Sequence, residues 1–305
     1  MWLIYVIGAH LLNAFVFIID KVLLGKAIKN PTVYAVIIGL MSAVVVLFIP
    51  FVQHLDPPAF QQVPPPLVLL EDFASGAFLI LALIAFFGAL KRLEASRLIP
   101  FVGALSPLAT FVVSFLVLGE RLGSSEVIAF LLLVSGGVFI TLDPHHPNTK
   151  STARGWILAI AAVLLFTGSF VSMKDLFNQQ LFWDAFIWSR LGSFGMAVIL
   201  LMRSSLRKEI RTTLKRLPRS QAAQFLGNQA LGATGFILLN NAIKLAPSVT
   251  IVNALQCVQY VFVLVFVVIA SIRTPKLLKE QMTPMIVLEK CIAIVLIAEG
   301  LVLLK

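Results

Sequence analysis

Polar side chains within long apolar runs are where this chain could do chemistry, because each one costs free energy in hydrocarbon. In residues 2–23, His10, Asn13, Phe17 and Asp20 recur at i, i+3, i+7 and i+10 and so form one stripe of a helix. In residues 247–271, Asn253, Gln256 and Tyr260 share a face, with Gln259 on its flank. Amides donate and accept, and an aromatic ring stacks, so this group suits a neutral or zwitterionic solute. Residues 96–118 offer Ser106 and Thr110 beside Pro100 and Pro107. Those prolines either free carbonyls towards a cavity or serve packing alone. In residues 183–203, Arg190 follows Trp188; it either binds an anionic group or pairs structurally with Asp184 or Asp20. Glu299, in the last run, reads as a packing or interfacial residue, against the alternative of a proton-coupling carboxylate. The expected substrate pathway is therefore His10, Asn13, Ser106, Thr110, Trp188, Arg190, Asn253, Gln256, Gln259 and Tyr260. Asp20, Asp184 and Glu299 are coupling or structural charges. For the 253–260 group the competing explanation is interhelical hydrogen bonding, and for the His10 to Asp20 stripe it is helix packing with Asp20 at the headgroup boundary beside Lys21.

The elements holding these residues must lie in lipid. The chain is 59% hydrophobic and 12% charged, with a mean hydropathy of +0.99, far outside soluble composition. A crossing takes ~20 helical residues. Runs of that length occur at 2–23, 32–53, 70–90, 96–118, 125–142, 155–176, 183–203, 221–243, 247–271 and 284–304. The fold class expected is an all-α membrane protein with ten transmembrane helices. The first run has no basic leader or cleavage site and is expected to stay as a helix. Pro57, Pro58, Pro64, Pro65 and Pro66 mark a non-helical connector, and Asp143 to Asn148 a polar linker. Leu206, Ile210, Leu214 and Leu217 recur at helical spacing among basic residues, as in a helix lying on the membrane surface; a plain solvated loop is the alternative. Cys257 and Cys291 both fall in apolar runs, and His145 and His146 have no ligand cluster near them in sequence. No metal or cofactor is expected. A net charge of +10 would suit nucleic acid in a soluble protein. Here it sits in short loops and points to anionic headgroups, with no nucleic acid as partner.

The chain also repeats itself. Residues 89–122 align with 242–271, pairing Ala89 with Ala242, Lys91 with Lys244, Ser96 with Ser248 and Ile99 with Ile251. Lys21 pairs with Lys174 and Gly136 with Gly300. The expected domains are a first five-helix repeat at 1–142, a linker at 143–153 and a second repeat at 154–305. Five is odd, so the repeats are inverted about an axis in the membrane plane. With LSPLATFVVSFLVLGERL closing the fourth run and SGG in the fifth, the chain resembles the EamA-type domain of the drug/metabolite transporter superfamily, and residues 154–305 are similar to a second such domain. The second copy departs at Gln259, which stands where the first has Pro107, and lacks the Gly119-Glu120 pair. The resemblance implies the family's fold and transport of small metabolites or drugs, and names no substrate.

The function expected is a small-solute carrier working by alternating access around a midplane cavity, monomeric or homodimeric, in the cell (inner) membrane. A lipid-linked flippase on the same fold and a non-transporting scaffold are the alternatives. No H-E-x-x-H, G-x-S-x-G or Cys/His cluster supports an enzyme. Of the 24 Lys and Arg, all but Arg121, Lys174, Arg190, Lys244 and Lys305 fall in odd-numbered loops. That puts those loops in the cytoplasm, whereas the resemblance implies cytoplasmic termini. A cysteine placed at Ser204, beside the seven basic residues from Arg203 to Arg219, should resist impermeant thiol reagents in intact cells. Ready labelling would reverse the orientation.

Overall fold

The computed structural model describes residues 1–26, 28, 30–55, 60, 63–93, 95–141, 152–273 and 284–304. Most of the linker, with His145 and His146, lies outside these residues, as do Pro57, Pro58, Lys29, Lys150, Lys276, Lys279 and Lys305. Among the described residues the regular structure is all helix, with no strand. The chain is an all-α membrane protein. In order come α1 (Trp2–Lys26), α2 (Pro31–Met41), a 3₁₀ segment (Ser42–Phe48), α3 (Ile49–Leu55), α4 (Pro66–Leu90), α5 (Ala95–Leu118), α6 (Ser124–Thr141) and α7 (Ala153–Gln179). They continue with α8 (Phe182–Leu201), α9 (Ser204–Arg216), α10 (Arg219–Leu245), α11 (Val249–Ala254), α12 (Cys257–Arg273) and α13 (Pro284–Leu303). Apolar side chains such as Ile4, Leu47, Leu67, Leu116 and Ile157 stand more than 60% exposed, which lipid tolerates and water does not.

Two expected continuous helices are interrupted. Residues 32–53 become α2, the 3₁₀ segment and α3. Pro50 has no N–H for the carbonyl four residues back and its ring crowds that turn, so the helix tightens ahead of it. Residues 247–271 become α11 and α12, parted at Leu255 and Gln256. A helix, α9, covers most of the Leu206 to Leu217 stretch; Leu206 and Ile210 are buried, Leu214 is exposed, Leu217 follows the helix end, and the basic side chains are exposed.

By packing, the chain forms two compact units. These divide it differently from the sequence repeat, since each unit draws on both stretches. The first comprises residues 1–19, 93–152 and 231–305. Within it, α6 and α13 pack through small residues: a Cβ on Gly136 would stand 2.6 Å from Ile297 Cγ1, and one on Gly300 2.9 Å from Leu133 Cγ. Leu133 and Ile297 hold the same register before Gly136 and Gly300, so the contact is self-complementary, as a two-fold pair is.

The second unit comprises residues 20–92 and 153–230. Here α4 is the central helix. Ser75 and Ser169 exchange hydroxyl-to-carbonyl hydrogen bonds between α4 and α7, at 3.2 and 3.0 Å. Ser193 of α8 donates to the Gly76 carbonyl at 2.9 Å. Gly192 lies against the Phe73 backbone, where a Cβ would come within 2.5 Å of Phe73 Cα. Backbone cannot yield there, so Gly192→Ala should lower stability by about 1–3 kcal/mol. Gly195→Ala meets only ring atoms at 3.7–3.8 Å and should be neutral or stabilising. Melting temperatures of the two purified variants check this; equal effects would contradict the contact.

Candidate functional site

The polar residues of the first unit gather around the interruption between α11 and α12. Across it the backbone changes its bonding: Gln256 N–H donates to the Asn253 carbonyl, Val258 to Leu255 and Gln259 to Gln256, each at 3.0 Å. These are three-residue steps in place of the α-helical four. Mid-helix 3₁₀ geometry of this kind frees carbonyls and commonly marks a hinge.

The side chains on this stretch face partners from other helices. Asn253, buried, donates through Nδ2 to Thr110 Oγ1 at 2.7 Å. One turn towards the segment's start, Thr250 and Ser114 hydroxyls meet at 2.8 Å. The fourth and ninth runs, aligned in the sequence repeat, thus meet through Thr110 and Asn253. Ser106 is buried on the same helix as Thr110. Gly103 permits the close approach of Tyr260: a Cβ there would stand 2.6 Å from the tyrosine Oη. Gln259 Oε1 lies 3.4 Å from His10 Nδ1. His10 is 3% exposed, and its other ring nitrogen, Nε2, is buried with no hydrogen-bond partner among the described residues. Asn13 Oδ1 lies over Gly235 of α10. Gln256 is half-buried.

This arrangement is held from the end of α5. Gly119 takes a positive φ of 66°, which only glycine adopts without strain. The turn carries the Glu120 carboxylate to the start of α11. There it accepts from Val249 N–H at 2.9 Å, Ser248 Oγ at 3.0 Å and Thr250 Oγ1 at 3.3 Å. Ser248 in turn caps α11, accepting from the Thr250 and Ile251 N–H groups. A carboxylate among the unsatisfied N–H groups of a helix start is favourable in both hydrogen bonding and charge.

The remaining expected site residues belong to the second unit. The Asp184 carboxylate accepts from the Phe60 backbone N–H at 2.5 Å, and the Phe60 ring stacks on Trp188 at 5.3 Å. Arg190 carries its guanidinium 5.8 Å from the Phe186 ring centroid, a cation–π distance. Asp20 is held by the neutral Tyr34 hydroxyl and by Asn228 Nδ2, the latter at 2.6 Å. Glu299 lies on an exposed side of α13. Sequence reasoning passed over Asp72, fully buried, whose two oxygens each accept from Gln180 Nε2 at 3.0 Å. It also passed over Tyr34 and Asn228, and read Glu120 as a helix stop. The available signal for Asp72 was a carboxylate just inside an apolar run. Among the described residues no cluster of His, Cys, Asp and Glu could hold a metal ion.

Residues 1–142 match the EamA-like transporter family. One crystal structure is similar over 100% of this chain and 96% of its own length, with a TM-score of 0.66 and 16% sequence identity; at that identity it shows a shared fold. No curated protein sequence matches the chain.

The Glu120 cap is directly testable. Glu120→Ala should cost about 1–2 kcal/mol, seen as a lower melting temperature, and Glu120→Gln, which keeps an acceptor, should cost less. An unchanged melting temperature in Glu120→Ala would show that α11 holds its place without the carboxylate.

Proposed function

We propose that this chain, whose residues 1–142 match the EamA-like transporter family, carries a small polar solute across the membrane by alternating access. The EamA-like family is a membrane transporter family, and the chain is a multi-pass membrane protein. In the proposed arrangement it makes ten crossings as two inverted repeats, 1–142 and 154–305, joined by 143–153. It sits in the cell (inner) membrane with the odd-numbered loops cytoplasmic and acts as a carrier and not an enzyme.

One observation carries the solute site. The ninth segment gives up regular α-helical bonding between Asn253 and Gln259, where Thr110, His10 and Tyr260 converge. In a membrane, irregular backbone is tolerated where it is buried in protein or lines a cavity. Carriers use broken helices to present carbonyls and side chains to solutes. His10 Nε2, buried and unpartnered, supplies a ring nitrogen with hydrogen-bonding capacity to spare. On this reading His10, Asn13, Ser106, Thr110, Asn253, Gln256, Gln259 and Tyr260 handle the solute, and its character is neutral or zwitterionic, because amides and hydroxyls offer both donors and acceptors. Trp188 and Arg190 form a further candidate group, supported by the aromatic rings around them.

A thermal-shift screen of the purified protein against zwitterionic amino acids, neutral sugars and nucleosides should find a stabilising solute. Gln259→Leu and His10→Leu should each weaken that solute by about two- to tenfold, the worth of an uncharged hydrogen bond. Glu299→Gln should leave the affinity unchanged. If both substitutions at the break leave it unchanged as well, the solute does not bind there.

A further inference from the structure

The partners of the carboxylates Glu120, Asp184 and Asp20 differ in kind. Glu120 accepts a backbone N–H from Val249 beside the hydroxyls of Ser248 and Thr250, and Asp184 accepts a backbone N–H from Phe60. A backbone N–H can only donate, so that partner offers no acceptor to a proton on the carboxyl. Asp20 is held differently. Its Oδ1 receives the hydroxyl of Tyr34 and the Nδ2 of Asn228, at 2.6 Å for the amide. A hydroxyl and a primary amide each contain a donor and an acceptor. The acceptor end of that amide, Asn228 Oδ1, is buried without a partner among the described residues, on a residue only 1% exposed.

The orphan acceptor is what a proton on Asp20 would need. With Asp20 ionised, Tyr34 and Asn228 both donate to it, and Asn228 Oδ1 is left over. With Asp20 carrying a proton, the new O–H donates to the amide oxygen once Asn228 turns; the acceptor is satisfied, and the Nδ2 that had donated to Asp20 takes its place as the group left over. No electron moves; a proton leaves water, forms one O–H bond, and returns to water when that bond breaks. We propose that Asp20, with Tyr34 and Asn228, is a proton-binding site through which transport is coupled to proton movement.

The setting fits that role. Tyr34 is fully buried and fixed edge-on between Phe87 and Phe225, at 5.3 and 5.4 Å, so its hydroxyl stays on Asp20. Among the described side chains it is the titratable group facing Asp20 from α2, and α10 presents the uncharged Asn228. A hard divalent cation wants six or more oxygens, and this cluster supplies those of three side chains. The coupling part of the proposal rests on the transporter reading above; the proton site does not.

Infrared difference spectra of the reconstituted protein between acid and alkaline pH test the site with the proton as the only probe. A carbonyl stretch of a protonated carboxyl should titrate in the wild type and be missing in Asp20→Asn. Should Asp20→Asn fail to fold, Asn228→Leu, which removes the orphan acceptor, should move the midpoint of that band by about one pH unit. A band unchanged in Asp20→Asn, or in Asn228→Leu, overturns the site. For coupling, proteoliposomes under a gradient of about one pH unit should accumulate the solute found in the thermal-shift panel up to about tenfold, and lose this response in Asp20→Asn. Uptake indifferent to the gradient overturns coupling while leaving transport intact. If no panel member is transported, the transporter reading is what fails, and the infrared titration still decides the proton site.

Discussion

In hydrocarbon a backbone N–H or C=O has no water to turn to, so a chain crossing a bilayer must close its own hydrogen bonds at every residue. The rest of this structure follows from that requirement. Long regular helices meet it by default, and each departure has to be made good by something specific. At the end of α5 the compensation is a glycine in left-handed conformation and the Glu120 carboxylate laid on the first N–H groups of α11. Between α11 and α12 it is a run of three-residue hydrogen bonds flanked by amides. The irregular backbone of the first unit therefore coincides with its densest set of polar side chains.

A second constraint is that helices in lipid gain little from apolar burial against one another and depend on close contact. The described packing answers with small residues. Gly76, Ser193 and Gly192 bring α4 and α8 to backbone contact, and Gly136 and Gly300 do so for α6 and α13.

Much of this was legible in the sequence. Composition and run length gave the class, since no soluble core sustains such apolar helices, and the family match over residues 1–142 agrees. The internal repeat aligned the fourth run with the ninth and Gly136 with Gly300; the contact of Thr110 with Asn253 is seen only in the structure. The interruption at Leu255 and Gln256 was not legible, because no glycine or proline marks it and its apolar neighbours read as continuous helix. Glu120 reads as a stop until α11 is known to begin beside it. The partners of Asp20 come from 14 and 208 positions away, a separation that periodicity cannot bridge. Sequence pattern shows which residues are out of place in lipid; only the fold shows which groups answer them.

The central claim is that the interruption of the ninth segment is the mobile, solute-contacting part of a carrier. Amide hydrogen exchange of the protein in nanodiscs tests it most directly. Residues 253–259 should exchange faster than the regular helix of α5, and a stabilising solute should slow them selectively. Protection equal to that of α5, unchanged by solute, would contradict the account.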